Sequence, residues 1–272
     1  MRCQTPPAPR RLPFPLVSPS LIGRPVRVAL VVLLLAAVGA GIWLWGRAGS
    51  STPVSEESAL EAYRAAGGAA AASPGVPRSG VYAFRQEGSE RAGAGPVGVS
   101  RDLPDVARYL VTPAAGGYRE EIDLSKEHIE AVVLRVGKGG TREVSRRTKV
   151  TFLGFGRDDR RDLRPPPLRM TARLAAGRTW SGSYVAGSLP VEFRSEVQRA
   201  DAVELDGRRY RVWVIRTVAD TGGVHPGRRI DVIWWSPRLA LPLRWSIDME
   251  IGGPATLETH SELTLESAVP KV

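Results

Sequence analysis

Residues 243–251 read LRWSIDMEI, in which Leu243, Trp245, Ile247, Met249 and Ile251 alternate with Arg244, Ser246, Asp248 and Glu250. Successive side chains of a strand point to opposite faces, so this period of two specifies a strand with one apolar and one wet face. The preceding RIDVIWW is joined to it through SPRLALP, whose prolines end each run, and the pair reads as an antiparallel hairpin. Similar runs recur at 81–86, 107–112, 118–124, 129–136, 143–155, 191–198, 202–205, 210–218 and 256–266. Turn signals separate many of them: GKGG at 137–140, Asp206-Gly207, Gly222-Gly223 and GGP at 252–254. Strands of this kind build an antiparallel sheet whose apolar face must be buried against a second layer or a bound apolar molecule.

Ahead of the strands lies the apolar run VALVVLLLAAVGAGIWLW at 28–45. As a helix, its 18 residues at about 1.5 Å each reach roughly 27 Å, close to the hydrocarbon thickness of a bilayer. Arg2, Arg10, Arg11, Arg24 and Arg27 precede the run and Arg47 follows it, a bias that predicts a cytoplasmic N-terminus and an extracytoplasmic C-terminal part. A cleaved signal peptide competes with an anchor. The length of the run and its bulky Trp43-Leu44-Trp45 ending favour an uncleaved single-pass helix in the cell membrane.

The net charge of +10 divides unevenly about this run, because residues 1–47 carry six arginines and no acid. Only +4 is left for the remainder, and a nucleic-acid partner loses its main support. Cys3, the single cysteine, precedes the run, so neither disulfides nor a thiolate metal site can hold the strand-rich part together. Residues 46–78 shift toward Ala, Gly, Ser and Pro and read as a spacer, with a short helix at 56–66 capped by Ser55. The expected organisation is a basic cytoplasmic tail at 1–27, a transmembrane anchor at 28–45, the spacer at 46–78 and a β domain at 79–272.

The order TWSGSY, VEFRSEV, AVELDGRRYRVWVI and IDVIWWSPRLALPLRWSIDMEI resembles bacterial envelope domains of the LolA, RseB and LppX-type lipoprotein-carrier superfamily. Trp234 or Trp235, Ser236, Pro237, Leu239, Leu241, Pro242 and Arg244 carry the resemblance best. It implies a curved antiparallel half-barrel around an apolar cavity, often closed by helices, that holds lipid or senses envelope proteins without catalysis. The chain departs from the pattern in having no cysteine after the apolar run and few helical segments in the domain. The fold class expected is therefore mainly β: one N-terminal transmembrane helix, then a half-barrel-like sheet with little helix.

Tryptophans cluster late in the chain, and Trp213, Trp234, Trp235, Trp245 and Met249 are the candidates to line such a cavity, against the alternative of ordinary core packing. In GRDDRRDLRPPP, Arg157, Arg160, Arg161 and Arg164 form a cationic group that could meet anionic head groups, although prolines 165–167 suggest no more than a solvated loop. His128, His225 and His260 show no metal-ligand spacing. Lys126 and Glu127 suggest that His128 opens a solvated strand. There is no GxSxG, and GKGGT lacks the lysine-serine ending of a phosphate loop. No catalytic residue, metal or cofactor is expected. Two functions stand: a module that shelters a lipid or other apolar ligand, and a non-catalytic structural or regulatory domain that contacts an envelope protein.

Overall fold

The computed structural model describes residues 49–68, 75–94, 97–152, 155–186, 189–253 and 256–272. The expected N-terminal transmembrane helix finds no support: residues 28–45 lie outside the described residues, and among these no helix is long and apolar enough to cross a membrane. The described chain is mainly β, as its period-two patterning requires, with one short helix, α1 (Glu56–Ala65).

Fourteen strands follow. They are β1 (Gly80–Ala94), β2 (Val97–Asp102), β3 (Val106–Ala114), β4 (Gly117–Asp123), β5 (His128–Gly137), β6 (Gly140–Phe152) and β7 (Phe155–Arg164). The second half comprises β8 (Leu168–Thr171), β9 (Thr179–Ala186), β10 (Leu189–Leu205), β11 (Arg208–Thr221), β12 (Gly227–Ser236), β13 (Leu241–Ile251) and β14 (Thr256–Leu265). Most neighbours in sequence pair antiparallel as a meander, and β1 then pairs with β14 from Phe84↔Leu265 to Gly93↔Thr256. That last pairing corrects the expected half-barrel: the sheet is a closed antiparallel barrel of twelve strands, with β2 and β8 extending β3 and β7 alongside β1 and β6.

Local chemistry explains the register. Asp206 and Gly207 both take positive φ, 51° and 68°, the conformation of a two-residue turn whose twist matches the flanking strands. β10 and β11 therefore pair from Leu205↔Arg208 to Val191↔Thr221, with a bulge between Val197 and Arg199. RIDVIWW and LRWSIDMEI form the β12–β13 hairpin, with Ile233 opposite Trp245. Gly88 serves the closure of the barrel: a Cβ there would stand 2.2 Å from the carbonyl oxygen of His260 on β14.

The wall is uneven. Among the described residues, the seam between β7 and β9 consists of two residue pairs, Leu163↔Ala186 and Arg164↔Val185, and residues 156–162 of β7 have ladder partners only on β6. GRDDRRDLR is thus a strand rather than the expected loop, exposed on nearly every side chain from Gly156 to Asp162. With no apolar face to bury, it carries no period-two signal.

Inside, one half of the barrel is apolar. Tyr82, Phe84, Tyr109, Val111, Tyr118, Leu134, Leu241, Leu243, Leu263 and Leu265 belong to one buried cluster. A second cluster joins Met170, Trp180, Val197 and Ile215 with the half-buried Trp213 and Trp235. On the outside, α1 lays Ala59 and Tyr63 against Val81 and Leu110. Its cap is the expected one, Ser55 Oγ accepting from Ser58 N–H, and residues 50–66 lie along the barrel from Asp102 to Lys271.

The closure makes a prediction. Gly88→Ala forces β1 and β14 apart and should destabilise the fold by roughly 1–3 kcal/mol, the usual cost of overpacking. Chemical denaturation monitored by tryptophan fluorescence measures it, and an unchanged midpoint would mean that the two strands part without cost.

Candidate functional site

The other half of the interior is polar, and its side chains form one continuous chain of alternating charge. Arg101 on β2 donates to Glu90 Oε2 on β1 at 2.8 Å through Nε. The other oxygen of Glu90 meets Nδ1 of His128 on β5, and His128 Nε2 lies 3.3 Å from Glu130 Oε1. Glu130 in turn accepts from Arg229 Nη1 on β12 at 2.6 Å, and Arg229 Nε donates to Asp231 Oδ2 at 2.8 Å. Trp245 Nε1 on β13 ends the chain by donating to Asp231 Oδ1 at 2.9 Å. Glu90, His128, Glu130 and Asp231 alternate in sequence with residues of the outer face, which places them inside.

His128, the expected solvated strand start, is 0% exposed. The sequence signal misleads there because Lys126 and Glu127 belong to the link before the strand, where Glu127 faces outward to Thr52. Burial alone would push the imidazole down, but its hydrogen bonds to Glu130 and Glu90 raise it to about 9. Burial raises Glu90 and Glu130 as well. His128 with Arg101 offsets it at Glu90, Arg229 with His128 at Glu130, and both carboxyls titrate below their ordinary range, Glu130 well below. Asp231 is lowered in the same way, its burial offset by Arg229. The run Arg101, Glu90, His128, Glu130, Arg229 and Asp231 is therefore three cations and three anions in strict alternation at neutral pH.

Beside this chain, Glu120 accepts from the Tyr109 hydroxyl at 2.5 Å and has Arg169 at 3.8 Å, while Glu143 holds Arg146 through two bonds of 2.7 and 3.0 Å. Burial pushes Glu120 up, because the distant Arg169 compensates it only in part. Two cavities of about 20 Å³ each flank Glu120 and Arg169. Each has room for about one water molecule, far short of the several hundred Å³ a lipid tail or drug-sized ligand occupies.

The residues expected to line a ligand cavity divide accordingly. Trp235 and Trp245 border one of these small cavities. Trp213 stands opposite Trp235 in the β11–β12 ladder within the second apolar cluster. Met249 is buried opposite Arg229, and Trp234 points to the other face of β12, opposite Val214 and near Asp201. The five are not brought together around one space.

The expected arginine group is divided as well. Arg157 and Arg161 both pair with Asp159, and Asp158 accepts from Arg147 of β6 at 2.7 and 2.6 Å. Arg160 faces the opposite side of β7 from these two arginines, and Arg164 lies at the β9 seam. Residues 157–162 hold three arginines and three aspartates, so the edge is charged but neutral in sum. A larger groove, about 370 Å³, lies on the outer face of β10 and β11 between Glu192, Arg194, Glu196, Arg216, Val218 and Asp220. Among the described residues, no group of three His, Cys, Asp or Glu side chains could hold a metal ion.

Arg229→Met should cost about 3–5 kcal/mol, since it strands Glu130 and Asp231 as buried charges, and adding Glu130→Gln should recover part of that loss. Denaturation of the single and double variants checks this. The imidazole of His128 binds its proton more tightly folded than unfolded, so its contribution is complete below about pH 6.5 and lost as pH rises to about 9. Unfolding midpoints between pH 6 and 10 should fall over that window, and His128→Gln should flatten the decline.

No protein-family model, no curated protein and no solved structure matches this chain.

Proposed function

We propose that the barrel is a non-catalytic interaction domain that presents its outer surface to a partner protein. The observation that carries this reading is the pair Glu130–Arg229, which fills the space where a sheltered ligand would lie. With the interior occupied by the chain's own side chains, the reading of a lipid-holding half-barrel loses its cavity. Recognition is left to the outside.

The edge of β7, unpaired over residues 156–162 among the described residues, supports the reading further. A free strand edge is a template for another strand, and charges along it decide which strands are accepted. In a two-fold antiparallel pairing, a residue near the axis meets its own copy. Centring on Asp159 sets Asp159 against itself and Arg157 against Arg161, with Asp158 against Arg160; centring on Arg160 sets Arg160 against itself and Asp158 against Asp162, with Asp159 against Arg161. Like charges directly opposite destabilise a ladder. A copy of the edge always sets at least one charge against itself, whereas a strand that offers acids opposite Arg157, Arg160 and Arg161 and bases opposite the three aspartates matches it throughout.

Two measurements test the proposal. Solvent extraction and mass spectrometry of the purified protein should find no stoichiometric lipid. A photo-crosslinker in place of Arg160 should, in intact cells, give one specific protein adduct that is lost when Asp158, Asp159 and Asp162 are replaced by Lys. Stoichiometric lipid, or adducts only between copies of this chain, would overturn it.

A further inference from the structure

Residues 50–66 are held along the outside of the barrel as a strap. Ser51 N–H and Oγ donate to Asp102 O at 3.0 and 2.8 Å, Lys126 N–H donates to Thr52 O at 2.8 Å, and Thr52 N–H donates to Glu127 Oε2 at 2.9 Å. Further along, Arg108 Nε donates to Val54 O at 3.4 Å, and Glu56 pairs with Arg108 and Lys271 before α1 docks on Val81 and Leu110. Between the anchors at Lys126 and Arg108 lies Asp123, the last residue of β4, directly opposite Arg108 in the ladder.

Asp123 is on the outer face of the sheet, yet it is only 5% exposed, and its Oδ1 has no hydrogen-bond partner. A carboxylate oxygen buried without a donor is costly, and a proton removes most of that cost.

We infer that residues 50–66 form a proton-operated latch, in which closing the strap over Asp123 is coupled to protonation of its carboxyl. The surrounding charges agree. Glu121 of the same strand opposes ionisation, while Arg119 of β4 with Arg147 and Lys149 of β6 favours it; Arg108 of β3 is engaged by Val54 and Glu56, and the facing residues of β5, Ile129 and Ala131, are uncharged. Burial, followed by Glu121, pushes Asp123 up to about 7, against about 3.9 for a solvated aspartate. Between those values the docked form holds a proton that the open form lacks, so docking weakens as pH rises from about 4 to about 7 and levels off above. Glu56 and Glu127, which hold the strap, are both shifted below their ordinary range, and their protonation would open it only on strong acidification, in the opposite direction.

The test uses the full chain with Cys3→Ser and spin labels at Ala62→Cys on α1 and Lys138→Cys in the β5–β6 turn, both exposed positions. Electron–electron distance measurements should give a single docked distance at pH 5. A longer-distance population should grow by up to about tenfold per pH unit until about pH 7 and then hold steady. Asp123→Asn and Asp123→Ala should each abolish this dependence. Distances that do not change with pH in the unsubstituted strap, or a dependence that survives in either Asp123 variant, would overturn the inference. None of these outcomes depends on what partner the barrel contacts.

Discussion

The contact between Glu130 and Arg229 sets the shape of everything around it. β5 and β12 stand six strands apart in a ring of twelve, on opposite walls of the barrel. A round barrel of that strand number would enclose a wide lumen. Nitrogen and oxygen atoms 2.6 Å apart across it mean that the two walls have come together, so the barrel is flattened and its inner faces pack against each other. Closure removes the sheet edges everywhere but along β7, and the collapse removes the lumen.

Ion pairs this deeply buried seldom add net stability, since desolvation offsets most of their attraction. What the alternating run from Arg101 to Asp231 supplies is specificity. Every carboxylate in it has a cation on one or both sides, and each cation has a carboxylate, so a shift of register in β1, β5 or β12 by one residue would leave several charges buried and unmatched. The apolar half, from Tyr82 to Leu265, supplies the area that drives folding, and the polar half fixes which strands face each other across the interior. The two halves are stacked along the same strands: β1 passes from Tyr82 and Phe84 in one to Glu90 in the other.

The outer surface carries the features available to partners. The strap of residues 50–66 covers β1 and β3 on one side, while among the described residues the two-pair seam at β9 leaves the charged length of β7 uncovered on another. Both are places where the ladder or the packing is thin, and such regions open first in a folded protein. The filled interior and the lightly held exterior together favour a domain that works by surface contact, with the strap as the element that acidity can shift.

The alternation in 243–251, the Asp206-Gly207 turn and the Ser55 cap were enough to specify by themselves an antiparallel β meander and one short helix, because each depends on side chains only a few residues apart. The period of two alone likewise sends the adjacent Trp234 and Trp235 to opposite faces. Nothing local says whether the first and last strands of a meander meet, and it is the β1–β14 pairing that turned an expected half-barrel into a closed barrel. Nor could the strand nature of GRDDRRD be seen, since a strand exposed on both faces has no apolar rhythm. Glu90, His128, Glu130, Arg229 and Asp231 look like ordinary wet-face residues in sequence; only the tertiary structure brought them together, because the contacts from Glu90 to His128 and from Glu130 to Arg229 join strands far apart in sequence.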